Sequence, residues 1–372
     1  MKIWADTTRF LGQVNAQGGT TGGSGGSVEI SGTKNLTFSG TVDTFTQNAG
    51  RGTLFLNSAN FTLTDAPAVS AAQNRNLADN PQFLVSDNNT GSNTISWGQI
   101  ADLASRNNIV LQATREIAIA DIIGNTPSVT QNNGVNLGPK PGNLTLRSTE
   151  SSISFQDLND TLQASGSNIT LEAADKITAG NFLTNGGAVT LRADKNSLTV
   201  GQINTSASSG NGGKVTLNAP KDITVDSIDT RSLSNGTGGS VDITTSGLFR
   251  ATGKNSSNIS IATDGGTRGG AVNIRHGGGL LSVPFTVGSD HNGINGAAGT
   301  ISTGTGNQIS AGVFAGSYNQ GSSPSEIQII TSGNKTPVVP QLQVNNSSQQ
   351  TNSPQQTNSS PQPQSNFNQT PL

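Results

Sequence analysis

The sequence predicts an all-β protein: a parallel β-helix, or β-solenoid, with coils of about 20–31 residues and a disordered C-terminal tail. Three observations predict this fold. Only 11% of the 372 residues are charged, less than half of the roughly 25% found in an average soluble domain. Gly accounts for 47 residues. A segment that starts with Gly-Gly and continues as a short alternating strand recurs along the chain at steps of 26, 26 and 31 residues.

The repeated segment alternates apolar and polar residues, which is the pattern of a strand with one buried face. The clear copies are residues 186–191, 212–217, 238–243 and 269–274. Weaker copies are residues 143–146 and 168–171, and an early copy is 25–30.

Each repeated strand is followed by two more short strands and a polar loop, as at 196–200, 202–205 and 206–211. The similar strands do not follow one another through two-residue hairpin turns. We therefore expect each strand to pair with its copy in the next coil, about 4.8 Å away. One coil is then strand, turn, strand, turn, strand and loop.

Stacked coils explain why the chain carries so little charge. A charged residue in a parallel stack tends to face its own kind one coil away, and like charges placed opposite each other destabilise a sheet. Ser, Thr and Asn can form hydrogen-bonded ladders instead. Gly and Asn suit the corners, where positive φ is required.

The organisation along the chain follows from the strength of the repeat. Residues 1–66 are predicted to form the first coils, and residues 67–142 irregular coils with an insertion. In this second segment, residues 100–106 have the pattern of a short helix, with Ser96 near its start. Regular repeats are expected over 143–333. The segment 334–372 is rich in Pro, Gln, Asn and Ser, which predicts a disordered tail.

Composition also excludes several functions. No run of about 20 apolar residues occurs, so no transmembrane segment is expected. The chain has no cysteine, which excludes a disulfide scaffold, a thiolate metal site and a thiol nucleophile. The net charge of -2 and the absence of a basic block argue against nucleic acid as a partner. No apolar segment typical of a signal peptide follows Met1.

The N-terminal segment carries the most specific motifs, at residues 2–10, 12–19, 22–32 and 52–56. With the later Gly-Gly repeats and residues 274–279, they make the chain resemble the filamentous haemagglutinin family, whose members are exported by two-partner secretion. The later coils are similar to cyanobacterial members. The resemblance covers 2–64 well and 108–332 more loosely.

This resemblance implies a right-handed parallel β-helix that is secreted through a dedicated outer-membrane pore. It also implies a location outside the cell or on the surface of a Gram-negative-type bacterium, and an adhesive role. Family members begin with a signal peptide and an export domain with an Asn-Pro-Asn-Gly-type motif, and neither occurs in this sequence. We therefore expect the chain to be part of a longer gene product or a truncated copy. The lack of cysteine agrees with export of an unfolded chain.

The two histidines are candidates for metal binding. His276 is expected at a coil corner, and His291 in a loop beside Asp290, which a metal site would add as a ligand. No further ligand occurs at a typical spacing, so isolated loop histidines are the favoured interpretation and no metal site is predicted.

Several other candidates have structural interpretations that are favoured over functional ones. The acids closest to a catalytic cluster are Asp222, Asp226, Asp229 and Asp242, which are predicted to be turn residues facing solvent. Residues 18–26 are Gly-rich but lack the ending of a phosphate-binding loop. Residues 264–266 suggest a calcium-binding turn, but the repeated Asp of such turns is missing.

The aromatic residues Trp4, Trp97 and Tyr318 are too sparse for a sugar-binding platform. Phe38, Phe55 and Phe182 are predicted to face the core.

The leading functional hypothesis is a non-enzymatic adhesin that binds an unidentified surface receptor or polysaccharide, with no catalytic residue, cofactor or metal. One alternative is a carbohydrate-active β-helix enzyme. The other is the rigid stalk of a protein that delivers a toxin on contact.

Overall fold

The computed structural model describes residues 1–47, 50–65, 93–123, 133–288 and 294–332. These residues form 33 strands and one helix. The predicted tail, 334–372, lies outside the described residues, as does much of the segment predicted to be irregular.

The elements are given in chain order. The first are β1 (Lys2–Phe10), β2 (Gln13–Asn15), β3 (Ser27–Phe38), β4 (Thr41–Asp43), β5 (Thr53–Ser58), β6 (Phe61–Thr64), β7 (Thr94–Ser96) and helix α1 (Trp97–Ala104). Next come β8 (Asn108–Ala113), β9 (Ile117–Ile119), β10 (Gly134–Pro139), β11 (Leu144–Ser148), β12 (Ile153–Phe155), β13 (Thr161–Ser165), β14 (Ile169–Ala173), β15 (Ile177–Ala179), β16 (Asn181–Leu183), β17 (Val189–Ala193), β18 (Leu198–Val200) and β19 (Ile203–Asn204). The remaining strands are β20 (Val215–Ala219), β21 (Ile223–Val225), β22 (Ile228–Asp229), β23 (Val241–Thr245), β24 (Phe249–Ala251), β25 (Ile259–Ala262), β26 (Val272–His276), β27 (Phe285–Val287), β28 (Gly296–Ala297), β29 (Thr300–Ser302), β30 (Gln308–Ile309), β31 (Gly312–Phe314), β32 (Tyr318–Gln320) and β33 (Ile327–Thr331).

Three long sheets build the fold, and the chain visits them in turn. Sheet I has 12 strands in the order β1-β3-β5-β8-β11-β14-β17-β20-β23-β26-β33-β32. Sheet II has 11 strands in the order β7-β6-β9-β12-β15-β18-β21-β24-β28-β27-β31. Sheet III has eight strands in the order β10-β13-β16-β19-β22-β25-β29-β30. From β8 to β26 the chain passes through sheets I, II and III in turn, one strand in each until β26, and the strands pair in parallel with their copies in neighbouring coils, so the predicted parallel β-helix is confirmed.

The strand register confirms the repeat read from the sequence. In sheet I the paired residues run Leu144, Ile169, Val189, Val215, Val241 and Val272. Their numbers are 25, 20, 26, 26 and 31 apart, and these are the lengths of the coils. The loop between the third strand and the next Gly-Gly segment absorbs this variation, while the strands keep their register.

The core consists of apolar ladders that run from coil to coil. One ladder in sheet I is almost completely excluded from solvent, and its members are Ile30, Leu56, Leu111, Leu146, Leu171, Leu191, Leu217, Ile243, Ile274 and Ile329. Burying a side chain of this size contributes about 1.5–3 kcal/mol.

Two of the three predicted core phenylalanines are buried. Phe38 stacks on Phe10 with ring centres 5.5 Å apart, and Phe182 packs edge-on against Phe155 at 6.3 Å. The prediction for Phe55 is wrong. In β5 the inward positions belong to Leu54 and Leu56, so the alternation of the strand turns Phe55 to the outer face.

Charges on the outer face of sheet I alternate in sign where they stack. Arg147, Glu172 and Arg192 occupy the same register position in three successive coils. Glu172 pairs with Arg147 at 2.6 Å. Lys2 likewise faces Glu29 across β1 and β3, at 3.0 Å. The stack therefore tolerates charge where neighbouring coils compensate it.

A threonine closes the corner between sheets III and I in four successive coils. The buried hydroxyls of Thr184, Thr205, Thr230 and Thr263 donate to the carbonyl of the second glycine in the following Gly-Gly pair, at 2.5–2.7 Å. Those glycines are packed against the coil before them. At Gly213, an added Cβ would lie 2.1 Å from the carbonyl oxygen of Gly187. This contact explains why the motif carries Gly at that position.

The predicted helix exists, but it begins three residues earlier than expected. Ser96 is its N-cap and accepts a hydrogen bond from the Gln99 amide at 3.2 Å, so the first turn starts at Trp97. The helix lies between β7 of sheet II and β8 of sheet I, where later coils have a strand of sheet III. It packs against β10, the first strand of that sheet. No helix in the described part of the chain has the length and apolar character needed to cross a membrane.

The C-terminal end of the stack is covered by three short strands that run antiparallel to the strands they pair with. Strands β30, β31 and β32 pair antiparallel with β29, β27 and β33. They visit sheets III, II and I, the reverse of the order followed by the preceding coils. We call residues 308–320 the reversed cap.

Candidate functional site

The corner that follows sheet II carries an aspartate at the same position in three consecutive coils. Leu63, Ile119 and Phe155 pair with one another across β6, β9 and β12. Two residues beyond each of them the chain has an aspartate, and the three are Asp65, Asp121 and Asp157. We call these three residues the aspartate column.

A fourth acid lies behind the column. Asp160 is fully buried, and its Oδ2 accepts a hydrogen bond from the Ile122 amide at 3.3 Å. Its Oδ1 is buried and has no hydrogen-bond partner among the described residues. Burial raises the pKa of the Asp160 carboxyl to about 6, the Ile122 hydrogen bond opposes this shift, and the negative charges of the column add to it.

Three of these acids converge. One carboxylate oxygen each from Asp121, Asp157 and Asp160 lies within 4.8 Å of the other two. The polar groups around them are neutral: the side chain of Asn133 donates to Asp157 at 3.1 Å, and the Ile123 amide donates to Asp65 at 3.2 Å. The seven ion pairs between described residues include none of the four aspartates. Clustered carboxylate oxygens of this kind are ligands for a hard cation.

The sequence contained a signal for this corner that the repeat analysis missed. The segments 61–65, 117–121 and 153–157 each consist of a buried-alternating strand followed by Asp. They are separated by the least regular part of the chain, so no constant spacing aligned them. Only the observed strand pairing does so.

A polar cleft lies at a different corner, where the first coils pass from sheet I to sheet II. It has a volume of about 390 Å³ and is open to solvent. Lys34 and Arg115 bring positive charge to it, and Asn35, Asn60 and Asn93 bring amides. Asn93 is nearly buried and holds the wall in place: its side chain accepts from the Leu36 amide at 2.8 Å and donates to the Lys34 carbonyl at 3.2 Å. A cleft of this composition can hydrogen-bond to hydroxyl groups and attract an anion.

The expectation for His276 is wrong. It is not a loop residue but the last residue of β26, and it is fully buried. Earlier coils have small residues at this position, such as Ala219 and Thr245, which face the interior. The imidazole packs against Phe285 with ring centres 5.2 Å apart, and burial lowers its pKa to about 4. His291 and Asp290 lie outside the described residues.

The four acids proposed as the nearest approach to a catalytic cluster are not brought together on one sheet. The prediction that all four are turn residues is wrong for Asp242 and Asp229, which lie in strands. Asp242 is on β23 of sheet I, where it pairs with Lys214 at 2.6 Å. Asp229 lies on β22 of sheet III, where it pairs with Arg231 at 2.6 Å. Asp222 and Asp226 flank β21 of sheet II.

The glycine-rich candidates are structural. Residues 18–26 contain a tight turn with a bridge between Gly19 and Gly22, and strand β3 follows them instead of a helix. Asp264 accepts a hydrogen bond from the Ser302 hydroxyl at 2.8 Å and so links two coils.

The aromatic residues considered for a sugar platform are dispersed. Trp97 is buried in α1, Trp4 is exposed on β1 at one end of sheet I, and Tyr318 lies on β32 at the other.

No protein-family model, curated protein or solved structure gives a significant match to the chain.

Proposed function

We propose that the protein is a secreted or surface-exposed β-helical exoprotein of the filamentous haemagglutinin type, which binds a surface receptor or polysaccharide and performs no catalysis. The observation that carries the proposal is the stack of three parallel sheets, whose outer faces carry mostly uncharged polar side chains. Such a rod offers a long hydrogen-bonding surface at little electrostatic cost. Each strand pairs mainly with its copies in the neighbouring coils, so coils of this kind can form one after another, which suits a chain that folds as it leaves a pore.

Export would require a partner, the outer-membrane pore of a two-partner secretion system. The chain has no cysteine that could form a disulfide before export. Its net charge of -2 supports the absence of nucleic acid among its partners.

The polar cleft supports an acidic polysaccharide as the ligand class. Lys34 and Arg115 are exposed at its rim. The Lys34 ammonium group also forms an ion pair with the Asp6 carboxylate, at 2.9 Å. Asparagine side chains line the cleft between them. Cationic groups next to amides match the carboxylates and hydroxyls of a uronic acid polymer.

The alternative of a carbohydrate-active enzyme has weaker support. Catalysis by a carboxylate pair requires two acids facing one substrate, about 5–9.5 Å apart. The four candidate acids are spread over three sheets: Asp222 and Asp226 flank a strand of sheet II, Asp229 lies in sheet III and Asp242 in sheet I. Asp160 is buried.

The binding proposal is tested by passing the purified full chain over immobilised polyuronate and over a neutral glucan. We expect retention on the polyuronate that weakens as NaCl is raised, because the contacts are between charged groups. Replacing both Lys34 and Arg115 by Gln is expected to weaken binding by about 3- to 10-fold. Arg192→Gln, on the outer face of sheet I, is the matched control and is expected to bind as the unmodified chain does.

Equal retention of the double variant would exclude the cleft, and retention on neither matrix would exclude this ligand class. Release of reducing ends from the polyuronate would contradict the non-catalytic assignment. In the host, deletion of the gene is expected to reduce attachment or aggregation. Unchanged attachment, aggregation and biofilm would count against adhesion.

A further inference from the structure

We propose that Asp121, Asp157 and Asp160 bind one Ca²⁺, with Asp65 adding its charge, and that this ion clamps two successive coils at the corner after sheet II. This site is independent of the proposed adhesive function. It concerns a corner of the fold that the polar cleft does not include.

The first argument is the pattern of charge. Equivalent positions in neighbouring coils are about 4.8 Å apart, and like charges placed there destabilise a sheet. On the outer face of sheet I the chain avoids this by alternating Arg147, Glu172 and Arg192. The aspartate column does the opposite, with three acids in register and a fourth behind them. A bound cation would turn this repulsion into attraction.

The second argument is the unpartnered oxygen of Asp160. The residue has no exposed surface, and its Oδ1 finds no hydrogen-bond donor among the described residues. A buried charge without a partner costs several kcal/mol. One of its carboxylate oxygens lies within 4.8 Å of oxygens from Asp121 and Asp157, so the buried carboxyl faces the column. A metal ion bound there by the Asp160 carboxylate would compensate its buried charge.

The third argument is the fit of the ligands to calcium. Ca²⁺ binds oxygen at about 2.3–2.6 Å, so ligands on opposite sides of the ion are about 4.6–5.2 Å apart. The three carboxylate oxygens lie within 4.8 Å of one another and can therefore share one ion as they stand. Mg²⁺ binds at about 2.0–2.1 Å in a strict octahedron and keeps several waters, so it suits this arrangement less well. Asp121 and Asp157 are partly exposed, which gives the ion a path from solvent.

The ion would join parts of the chain that are far apart in sequence. Asp65 follows β6, Asp121 follows β9 and Asp157 follows β12. Helix α1 lies in the chain between Asp65 and Asp121. Asp121 and Asp157 lie at the same position in neighbouring coils, and a shared ion would add a bond between those two coils to the ladders that already pair them.

The experiment uses the full chain after treatment with a chelator, and CaCl₂ is the probe. Calcium binding is measured by titration calorimetry and by the thermal midpoint at pH 7.5. We expect one saturable site and a rise in the midpoint of about 2–5 °C. The titration extends to about 10 mM, because extracellular calcium modules have dissociation constants up to about 10⁻³ M. MgCl₂ at the same concentrations is expected to produce less than half of the shift.

Three variants locate the site. Asp121→Asn, Asp157→Asn and Asp160→Asn are each expected to weaken calcium binding at least 10-fold. Without calcium, Asp160→Asn is expected to melt at the same temperature as the unmodified chain or higher, because it removes an uncompensated buried charge. Asp222→Asn is the matched control: this corner aspartate also accepts a main-chain N–H, from Leu248 at 2.9 Å, and its replacement is expected to leave calcium binding unchanged.

The proposal is overturned if calcium produces no saturable shift, or if all three variants respond to it as strongly as the unmodified chain does. An equal shift with magnesium overturns the assignment of the metal. If Asp160→Asn fails to fold, as circular dichroism would show, the partly exposed Asp121 and Asp157 variants decide the question by themselves.

Discussion

The Nδ1 atom of His276 lies 3.2 Å from the side-chain amide nitrogen of Asn295, and both residues are buried. The Asn295 oxygen accepts a hydrogen bond from the Phe249 amide at 3.0 Å, which fixes the orientation of the side-chain amide. Its nitrogen is therefore a donor, and the imidazole Nδ1 must accept. The proton of the neutral ring then sits on Nε2, which has no partner among the described residues. This geometry favours a neutral histidine.

The stability that His276 contributes is therefore expected to fall as the solution is acidified, whereas Asp160, whose pKa is raised in the folded protein, contributes in the opposite direction. The pKa of His276 is lowered from 6.5 to about 4 in the folded protein, so between these values the unfolded chain binds more protons. Above about pH 6.5, His276 contributes about 3 kcal/mol to the free energy of unfolding. This contribution is lost as the pH falls from 6.5 to about 4.

Urea unfolding at pH 7.5 and pH 5 measures this loss. His276→Gln is expected to lose less stability than the unmodified chain between pH 7.5 and pH 5, because glutamine does not titrate and the contribution of Asp160 is common to both proteins. His291→Gln is the control for the other histidine. A pH difference that is the same in His276→Gln and the unmodified chain would contradict the assignment.

Gly213→Ala is expected to lower stability by about 1–3 kcal/mol, since overpacking forces the backbone to move. The new Cβ would lie 2.1 Å from the carbonyl oxygen of Gly187, whose position is set by the coil stack. Thermal unfolding measures the change. Gly12→Ala is the matched control: its nearest neighbours are ring atoms of Phe10 at 4.0 Å, and its stability is expected to stay within about 1 kcal/mol. Equal effects of the two substitutions would show that close stacking at the Gly-Gly motif is unimportant.

Leu191→Ala is expected to cost about 2–5 kcal/mol, because it leaves a cavity in the middle of the sheet I ladder. Leu191 is fully buried between Leu171 and Leu217. The neighbouring Thr190 points outward, and Thr190→Ala is expected to cost less than about 1 kcal/mol. Urea unfolding with comparison of the slopes distinguishes a loss of stability from a loss of cooperativity between coils. A larger loss for Thr190→Ala than for Leu191→Ala would reverse the assignment of inner and outer faces.

Glu172→Lys is expected to destabilise the stack through repulsion in the outer ladder. The new lysine would stand between Arg147 and Arg192, in place of a carboxylate that now binds Arg147 at 2.6 Å. We expect Glu172→Gln to cost up to about 1 kcal/mol and Glu172→Lys about 1 kcal/mol more. The additional loss should shrink in 1 M NaCl, where the screening length is about 3 Å. An additional loss that is independent of salt would point to a steric cause.

Sequence periodicity predicted the sheets well because each strand has a one-dimensional signature. The Gly-Gly start and the alternation of Val189 and Leu191 with polar residues are local, and the pairing with Val215 and Leu217 follows from the repeat. Ser96 likewise marked the helix because capping is a local interaction. Phe55 shows where local information fails, since its face depends on the phase of the whole strand.

His276 and the aspartate column could not be placed in the same way. The burial of His276 depends on which residue of β26 lies above Thr245, a matter of register that its flanking Gly residues concealed. The convergence of Asp65, Asp121 and Asp157 depends on pairing across segments of unequal length. Side chains that meet only because coils stack become visible only when the stacking itself is known.

The reversed cap makes the two ends of the rod unequal with respect to polymerisation. At the C-terminal end, the parallel edges of all three sheets are covered by antiparallel strands of two or three residues, and such short edges are poor templates for another chain. At the other end, sheet I finishes in β1, a nine-residue strand with one edge unpaired among the described residues. A fibre grown head to tail needs two complementary ends. We therefore expect the reversed cap to disfavour end-to-end joining of one chain to the next.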